Sequence, residues 1–323
     1  MALIYCGIDE AGYGPMLGPL CVGFAAFRVE GWTVGESAPD LWGALGSGVC
    51  RDPGDKRGRV AVADSKRLKL SNQSKSRHPL THLERGVLAF AGVGGDAPRD
   101  DAALFAALGA RLEDRPWYLG EAEPLPVSCS VESLAFARNT VALACESAAV
   151  EPIAVACITV GEREFNEEIR RGGSKAAVTA SAFARYLRRV VDRWADGPDS
   201  VRVVCDRHGG RRSYAAMIRS AAPGRAVEVL EESERCSRYS VGGEGLIVQF
   251  RPEAEDAHLP VALASMTAKF VRELAMARFN RYWCARVPEL KPTAGYVQDA
   301  RRWLGDLNGV LTESERETLV RMA

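Results

Sequence analysis

Two adjacent acids are the first residues in this 323-residue chain whose types suggest chemistry. In YCGIDEAGYGPMLGPL, residues 5–20, an apolar run from Leu3 to Ile8 gives way to Asp9 and Glu10, and a turn rich in glycine and proline follows. Successive side chains of a strand point to opposite faces, so the pair can serve one site only if the strand ends there and the chain turns. Gly12 and Gly14 remove the bulk that would obstruct such a turn, and they let backbone N–H groups approach a sugar-phosphate chain. A second apolar run, SVRVVCD, ends in Asp206 before a Gly-Gly pair. A third stretch, RPEAEDAHLP, carries Glu253, Glu255 and Asp256 between a strand and a helix. Carboxylates gathered at strand ends repel one another unless they are protonated or neutralised by a hard cation. Magnesium suits oxygen ligands beside phosphates, and two such ions about 4 Å apart can serve phosphodiester hydrolysis. Taken singly, each acid has a plainer use: Asp206 can form a turn, and Asp256 can cap the helix that follows. Together they point to a carboxylate metal site acting on phosphate.

The elements that must hold these acids alternate in type. ALIYCGID and the almost wholly apolar LCVGFAAFRV predict two strands, the second buried on both faces. Gly, Pro, Asp and Arg dominate residues 31–60, which predicts a long loop. A second loop is expected at 92–128, opening with the flexible connection GVGGDAPRDD. VAVADSKRLKLS (60–71) predicts a short apolar segment followed by a basic turn. Residues 130–149 predict a helix capped by Ser130 or Ser133. Residues 179–195 predict a surface helix with Phe183, Leu187, Val190 and Trp194 on one stripe and arginines on the other. Strands are expected at 200–206 and 243–250. The strongest helical pattern spans 259–283, with Pro260 in its first turn and Leu263, Met266, Phe270, Leu274 and Phe279 in helical period. Thr312 and Glu315 have capping-box spacing for a last helix. This alternation predicts an α/β sheet domain without internal repeats.

Composition narrows the classes further. Lys+Arg and Asp+Glu both number 42, so whole-chain charge argues neither for nor against a nucleic-acid partner. Local clusters do exist: Lys66, Arg67, Lys69, Lys75 and Arg77, with Arg207, Arg211 and Arg212 beyond Asp206. A charge run by itself is usually a solvated face. There is no basic leader with an apolar core and no run approaching ~18 apolar residues, which argues against secretion and membrane spanning. Nine scattered cysteines without a disulfide rhythm suit a reducing cytoplasm. His78 and His82 have the spacing of two ligands on a helix, but Pro79 separates them and no Glu completes a metalloprotease pattern. Zinc is therefore not expected, and a cytoplasmic monomer is.

The residues assembled so far resemble type 2 ribonuclease H, ribonuclease HII. That family opens with G-I-D-E-A-G-R-G-P, followed after two residues by G-P, and this chain has GIDEAGYGPMLGPL. ADSKRL (63–68) resembles the family's D-S-K-K-L, and VVCDRHGG its V-D-G strand end. ALASMTAKFVREL (262–274) resembles A-A-S-I-L-A-K-V-x-R-D, and Gly295–Tyr296 the later G-Y-G-T. The similarity runs through much of the chain in order, while 31–60 and 92–128 have no counterpart. It implies a ribonuclease H-like mixed β-sheet flanked by helices, with a catalytic domain over 1–275 and a helical C-terminal extension over 276–323. It also implies a metal-dependent endonuclease that hydrolyses the RNA strand of RNA/DNA hybrids, or cuts at ribonucleotides embedded in a DNA duplex. The cofactor would be Mg²⁺ or Mn²⁺, and the products would carry 5′-phosphates.

By the same resemblance, Asp9, Glu10 and Asp206 are three of four catalytic, metal-holding carboxylates, with Asp9 bridging two ions. Counting back without a gap from Ser265 makes Glu255 the fourth; aligning the proline instead makes it Asp256. Glu255 is preferred because EAE then overlays the family's K-A-D, and Asp256 is held in reserve. Gly12, Tyr13 and Gly14 are expected against the substrate, with Lys66 on a phosphate and Tyr296 stacked on the sugar at the cleavage junction. Two residues depart from the pattern. Tyr13 stands where the family has the arginine that reads the ribonucleotide 2′-OH, and Arg301 stands where G-Y-G-T-x-x-H has histidine. Both bear on preference for a lone ribonucleotide more than on metal chemistry. The alternatives are a non-catalytic binder of hybrid or branched nucleic acid, and a junction resolvase on the same fold.

Overall fold

Leu3–Ala11 (β1) and Leu20–Val29 (β2) are buried along nearly their whole lengths, as their apolar runs require. The structure, a computed structural model, describes residues 1–91, 95–207, 209 and 211–322. After β2 come α1 (Leu41–Ala44), β3 (Val49–Cys50), β4 (Val60–Ala61), α2 (Ser65–Leu68), α3 (Thr81–Ala91), α4 (Asp101–Leu108) and α5 (Val131–Ser147). Next are β5 (Val150–Val160), α6 (Glu162–Arg170), α7 (Lys175–Trp194), β6 (Ser200–Asp206) and α8 (Ala215–Ala221). The strands β7 (Val227–Glu232), β8 (Ser237–Val241) and β9 (Leu246–Arg251) follow. α9 (Ala254–Ala257) leads into α10 (Leu259–Arg286), with α11 (Val297–Asp306) and α12 (Glu313–Leu319) after it.

Seven strands form one sheet in the order β5-β2-β1-β6-β9-β8-β7, and β3 pairs with β4 separately. β1 runs parallel to β6, and β6 to β9. The other neighbours in the large sheet are antiparallel. The result is the expected class: a mixed sheet flanked by helices.

Gly7 and Gly23 explain how closely one helix covers this sheet. A Cβ on Gly7 would stand 2.1 Å from the Pro260 carbonyl carbon, and one on Gly23 would stand 2.0 Å from the Ala264 oxygen. α10 therefore lies directly on β1 and β2, and α3 packs against it as well. Enclosure from several directions is why its apolar residues exceed a single stripe; Leu263, Met266, Phe270, Leu274 and Phe279 are all buried. The opposite face of the sheet is covered by α7, whose Phe183, Leu187 and Val190 join the core there. A third cluster joins Phe279 and Trp283 of α10 to Trp303 of α11 and Leu319 of α12. The capping box between Thr312 and Glu315 is formed.

Several expectations change. β1 does not end at the two acids: β2 keeps the antiparallel ladder going, pairing Asp9 with Gly23, Glu10 with Val22 and Ala11 with Cys21. What stops is the parallel ladder to β6, whose last pair is Ile8 with Cys205. The loop expected at 31–60 contains α1 and β3 and ends in β4, and α4 interrupts that at 92–128. Residues 92–94 and 210, which fall in an expected connection and the Gly-Gly pair, lie outside the described residues. The basic turn after Ala63 is the helical turn α2, because the Asp64 side chain caps it by accepting from Lys66 N at 3.0 Å. Asp256 does not cap α10; it lies within α9, and His258 holds the capping position. β5, β7 and β8 were not foreseen. No helix among the described residues is long and apolar enough to cross a membrane.

Candidate active site

Just past the last pair of the β1–β6 ladder come Asp9 on one strand and Asp206 on the other. Asp9 shares a face with Gly7, the face on which α10 lies, so its buried carboxyl meets that helix. Ser265 of α10 faces it and favours its charged form. The Ser265 hydroxyl is in turn 3.0 Å from the Ser65 hydroxyl on α2. This chain of contacts fixes β1, α10 and the turn bearing Lys66 against one another. Glu10 follows where the ladder to β6 has already stopped, so its carboxyl, like that of Asp9, feels Asp206 and Glu255, and its N–H donates back to Asp9 Oδ1 at 2.8 Å.

The fourth carboxylate depends on one strained residue. Glu253 adopts a left-handed backbone with φ 52°, uncommon for a side chain of this type. The chain thereby reverses after β9, and Ala254 N donates to Asp206 Oδ1 at 3.2 Å. Glu255 follows and is 9% exposed. Asp256 turns outward instead: its side chain is 57% exposed and lies 3.9 Å from Arg67.

Electrostatics tie the group together. Burial pushes the Asp9 carboxyl well above its ordinary range; the charges of Glu10, Asp206 and Glu255 push the same way, and Ser265 opposes them. Glu10 is raised to about 7, by burial and then by Asp206, with Lys66 opposing. Asp206 is raised by burial, against the hydrogen bond from Ala254 N–H and the charge of Lys66. Burial also raises Glu255, and the charges of Asp206 and Asp64 add to it. Burial pulls Lys66 downward, but Asp64, Glu255, Asp9 and Asp206 outweigh it, so its ammonium is held more firmly than usual. Asp9, Glu10, Asp206, Glu255 and Lys66 thus share one electrostatic field, joined by Asp64.

The donor set can be tested against a metal directly. Glu10 Oε2 and Glu255 Oε2 are buried and have no hydrogen-bond partner. Buried carboxylate oxygens in that condition call for a proton or a cation. In the arrangement described, no three acidic, histidine or cysteine side chains among the described residues meet closely enough to hold an ion. The chemistry of the set, all oxygen and anionic with two oxygens unpartnered, fits a hard divalent cation.

The turn after Glu10 forms a second part of the site. Gly12 has φ 91°, and a Cβ there would stand 2.7 Å from Arg272 Nε, so only glycine fits. Arg272, fully buried, donates from Nη2 to the carbonyls of Leu17 and Ala294, both at 3.1 Å. Its guanidinium carbon lies 5.6 Å from the centre of the Tyr296 ring. Met16 and Leu17 N–H groups donate to the Gly295 carbonyl. Gly12–Gly18 and Tyr296 are therefore held as one unit, with the Tyr13 and Tyr296 side chains 42% and 48% exposed. The space around Gly14 is open. Arg321 braces the underside, donating from Nη2 to the Gly12 carbonyl at 2.6 Å and from Nε to the Pro15 carbonyl at 3.0 Å.

Sequence reasoning passed over Asp64, Ser65, Ser265, Arg272 and Arg321. The first four lie inside quoted motifs, ADSKRL and ALASMTAKFVREL, and that membership is the available signal. Arg321 carried none.

No protein-family model matches the chain, and no curated protein matches it by sequence. Among solved structures it is similar to the RNase HII of Archaeoglobus fulgidus, determined in complex with PCNA. That match has 15% identity over 99% of this chain and 94% of that one, with a TM-score of 0.46. The ribonuclease H2 of Pyrococcus horikoshii is similar at 15% identity over 98% of this chain and 96% of that one, with a TM-score of 0.40. The RNase H3 of Aquifex aeolicus is similar at 14% identity over 98% of this chain and 71% of that one, with a TM-score of 0.42. At that level of likeness, function must be read from the residues of the site.

Proposed function

We propose that this protein is a metal-dependent endonuclease of ribonuclease H type that hydrolyses the RNA strand of RNA/DNA hybrids. The observation that carries this reading is the shared field of Asp9, Glu10, Asp206 and Glu255 around Lys66, with two buried carboxylate oxygens left unpartnered. Asp9, Glu10, Asp206 and Glu255 would hold Mg²⁺ or Mn²⁺. Such ions supply Lewis-acid stabilisation of phosphate charge and a more acidic bound water.

The chain's own residues do the remainder. Ser265 faces the Asp9 carboxyl, and the backbone N–H of Ala254 orients Asp206. Lys66, held firmly protonated by the acids around it, offers its charge to a non-bridging phosphate oxygen. The glycine turn brings the N–H groups of Gly12 and Tyr13 to the sugar-phosphate backbone, beside the open space at Gly14. Tyr296 presents an exposed ring, fixed to that turn through Arg272 and Gly295, for stacking against a sugar. Cleavage leaves 5′-phosphate and 3′-hydroxyl ends. With tyrosine at position 13 the turn lacks a cation, so a continuous hybrid is favoured over a single ribonucleotide in DNA.

One assay tests the proposal. The protein and its Asp206→Asn variant are offered a full RNA/DNA hybrid, a DNA duplex with one ribonucleotide and a DNA junction, each with Mg²⁺ or Mn²⁺. The expected outcome is cleavage of the hybrid by the wild type alone. Cleavage that persists in the variant would remove Asp206 from the site. Tight hybrid binding with no cut by either protein would replace the nuclease with a binder, and cutting of the junction alone would make it a resolvase.

A further inference from the structure

The side of α7 that faces away from the sheet gathers charge in a chain whose formal net charge is zero. Within Lys175–Trp194 stand Lys175, Arg185, Arg188, Arg189 and Arg193 against the single acid Asp192. A groove of about 750 Å³ runs between this helix and α8, walled by Arg185, Arg188, Arg189 and Arg211. Its floor is made of small side chains, among them Ala177, Ala180, Ala184 and Ala221, which leave room for a ligand to sit low. Arg185 is paired with Glu164 at 3.4 Å. The others hold no carboxylate among the described residues: Arg188 reaches the Ser220 carbonyl, and Arg189 and Arg211 lie over the rings of Tyr186 and Tyr214. By contrast, the neighbouring Arg207 and Arg212 are spent on Ser233 and Glu234.

From this we infer that the α7–α8 groove binds the sugar-phosphate backbone of the duplex that extends beyond the cleavage position. Arginines at positions 185, 188 and 189 lie on one helical face, and planar guanidinium groups donate in pairs to phosphate oxygens. Continuity with the candidate active site comes from Arg211. It lies only five residues past Asp206, so at most about 18 Å separates their Cα atoms, or roughly five steps of a duplex strand. The identity of the ligand rests on the nuclease reading above, whereas the charge of the groove does not.

The test is a binding titration without added divalent ions, so that cleavage plays no part. A fluorescent DNA duplex of about 30 base pairs is titrated with three proteins over a range of NaCl concentrations. They are the wild type, the triple variant R185Q/R188Q/R189Q, and the charge-conserving R185K/R188K/R189K. The glutamine variant is expected to bind on the order of tenfold more weakly at low salt, with the slope of log affinity against log salt reduced by about 2 to 3. The lysine variant is expected to keep the wild-type slope. The inference is overturned if the glutamine variant matches the wild type, if the lysine variant loses as much as the glutamine variant, or if the wild type does not bind the duplex. The two readings separate cleanly. Hybrid cleavage with an unmoved slope leaves the nuclease and removes the groove, and a moved slope without cleavage does the reverse.

Discussion

Glu255 is buried beside Asp206 and Asp64, whereas its neighbour Asp256 faces solvent and Arg67. Only the first can add charge to the field around Asp9 and Glu10. On the proposed function, Glu255→Gln is therefore expected to lower kcat/KM on a hybrid by about 100-fold or more, as loss of a donor from the acidic cluster would. Asp256→Asn is expected to stay within about twofold, because an exposed side chain away from the chemistry is replaced. Steady-state cleavage in Mg²⁺ measures both, and a reversed order would transfer the role to Asp256. The two acids could not be separated along the sequence, since both lie just after a strand. What separates them is the left-handed backbone at Glu253, which sets the direction of everything after it. The residues whose spacing is local, Asp9, Glu10 and the glycine turn, were legible; their partners on α2 and α10, Ser65 and Ser265, depend on packing between segments 200 positions apart.

At the scale of elements, the approach of α10 to the sheet governs the site, because that helix carries Ser265 and Arg272. Gly7 and Gly23 permit the approach, with no room for even a methyl group against the backbone of Pro260 and Ala264. Gly7→Ala must push the helix away, and an overpacked contact of backbone on backbone is expected to cost about 3 kcal/mol. Gly14→Ala meets open space at a backbone position without positive φ, and is expected to change stability by less than about 0.5 kcal/mol. Urea denaturation of the two variants decides the matter, and equal effects would remove the close-packing account. The elements with strong internal periodicity, α7 and α10, and the apolar runs of β1, β2 and β6 could be read from the sequence. β7 and β8 could not: β7, the edge strand, is largely exposed and carries three glutamates, and β8, though buried at four of its five residues, is too short and too rich in serine to show an apolar pattern. Pro152 interrupts the run that becomes β5.

Across the whole molecule, the turn that follows Glu10 is held from four directions, and one of its supports titrates. Arg321 reaches Gly12 across 309 positions, a contact no local pattern could announce. Beside it Glu162, fully buried, accepts from the Tyr118 hydroxyl at 2.7 Å and from Gly18 N at 3.2 Å, while its Oε2 has no partner. Burial raises its carboxyl to about 7, against the hydrogen bond from Tyr118 and the charge of Arg321. In the unfolded chain the same group loses its proton near its ordinary 4.5. The folded state therefore binds the proton more tightly over that interval, so its stabilisation is full below pH 4.5 and is lost as pH rises through about 7. For a group so deeply buried the loss is on the order of 3 kcal/mol. Glu162→Gln keeps an acceptor for Tyr118 and Gly18 but carries no titrating proton. Urea unfolding of both proteins on either side of this interval should show the wild type losing stability relative to the variant by that amount on the alkaline side. The four clustered carboxyls at Asp9, Glu10, Asp206 and Glu255 give both proteins the same background slope, so the difference between them isolates Glu162. Parallel curves would mean that Glu162 already carries its charge in the fold, balanced by Arg321 and Arg272, and that the turn beside the acids is insensitive to pH.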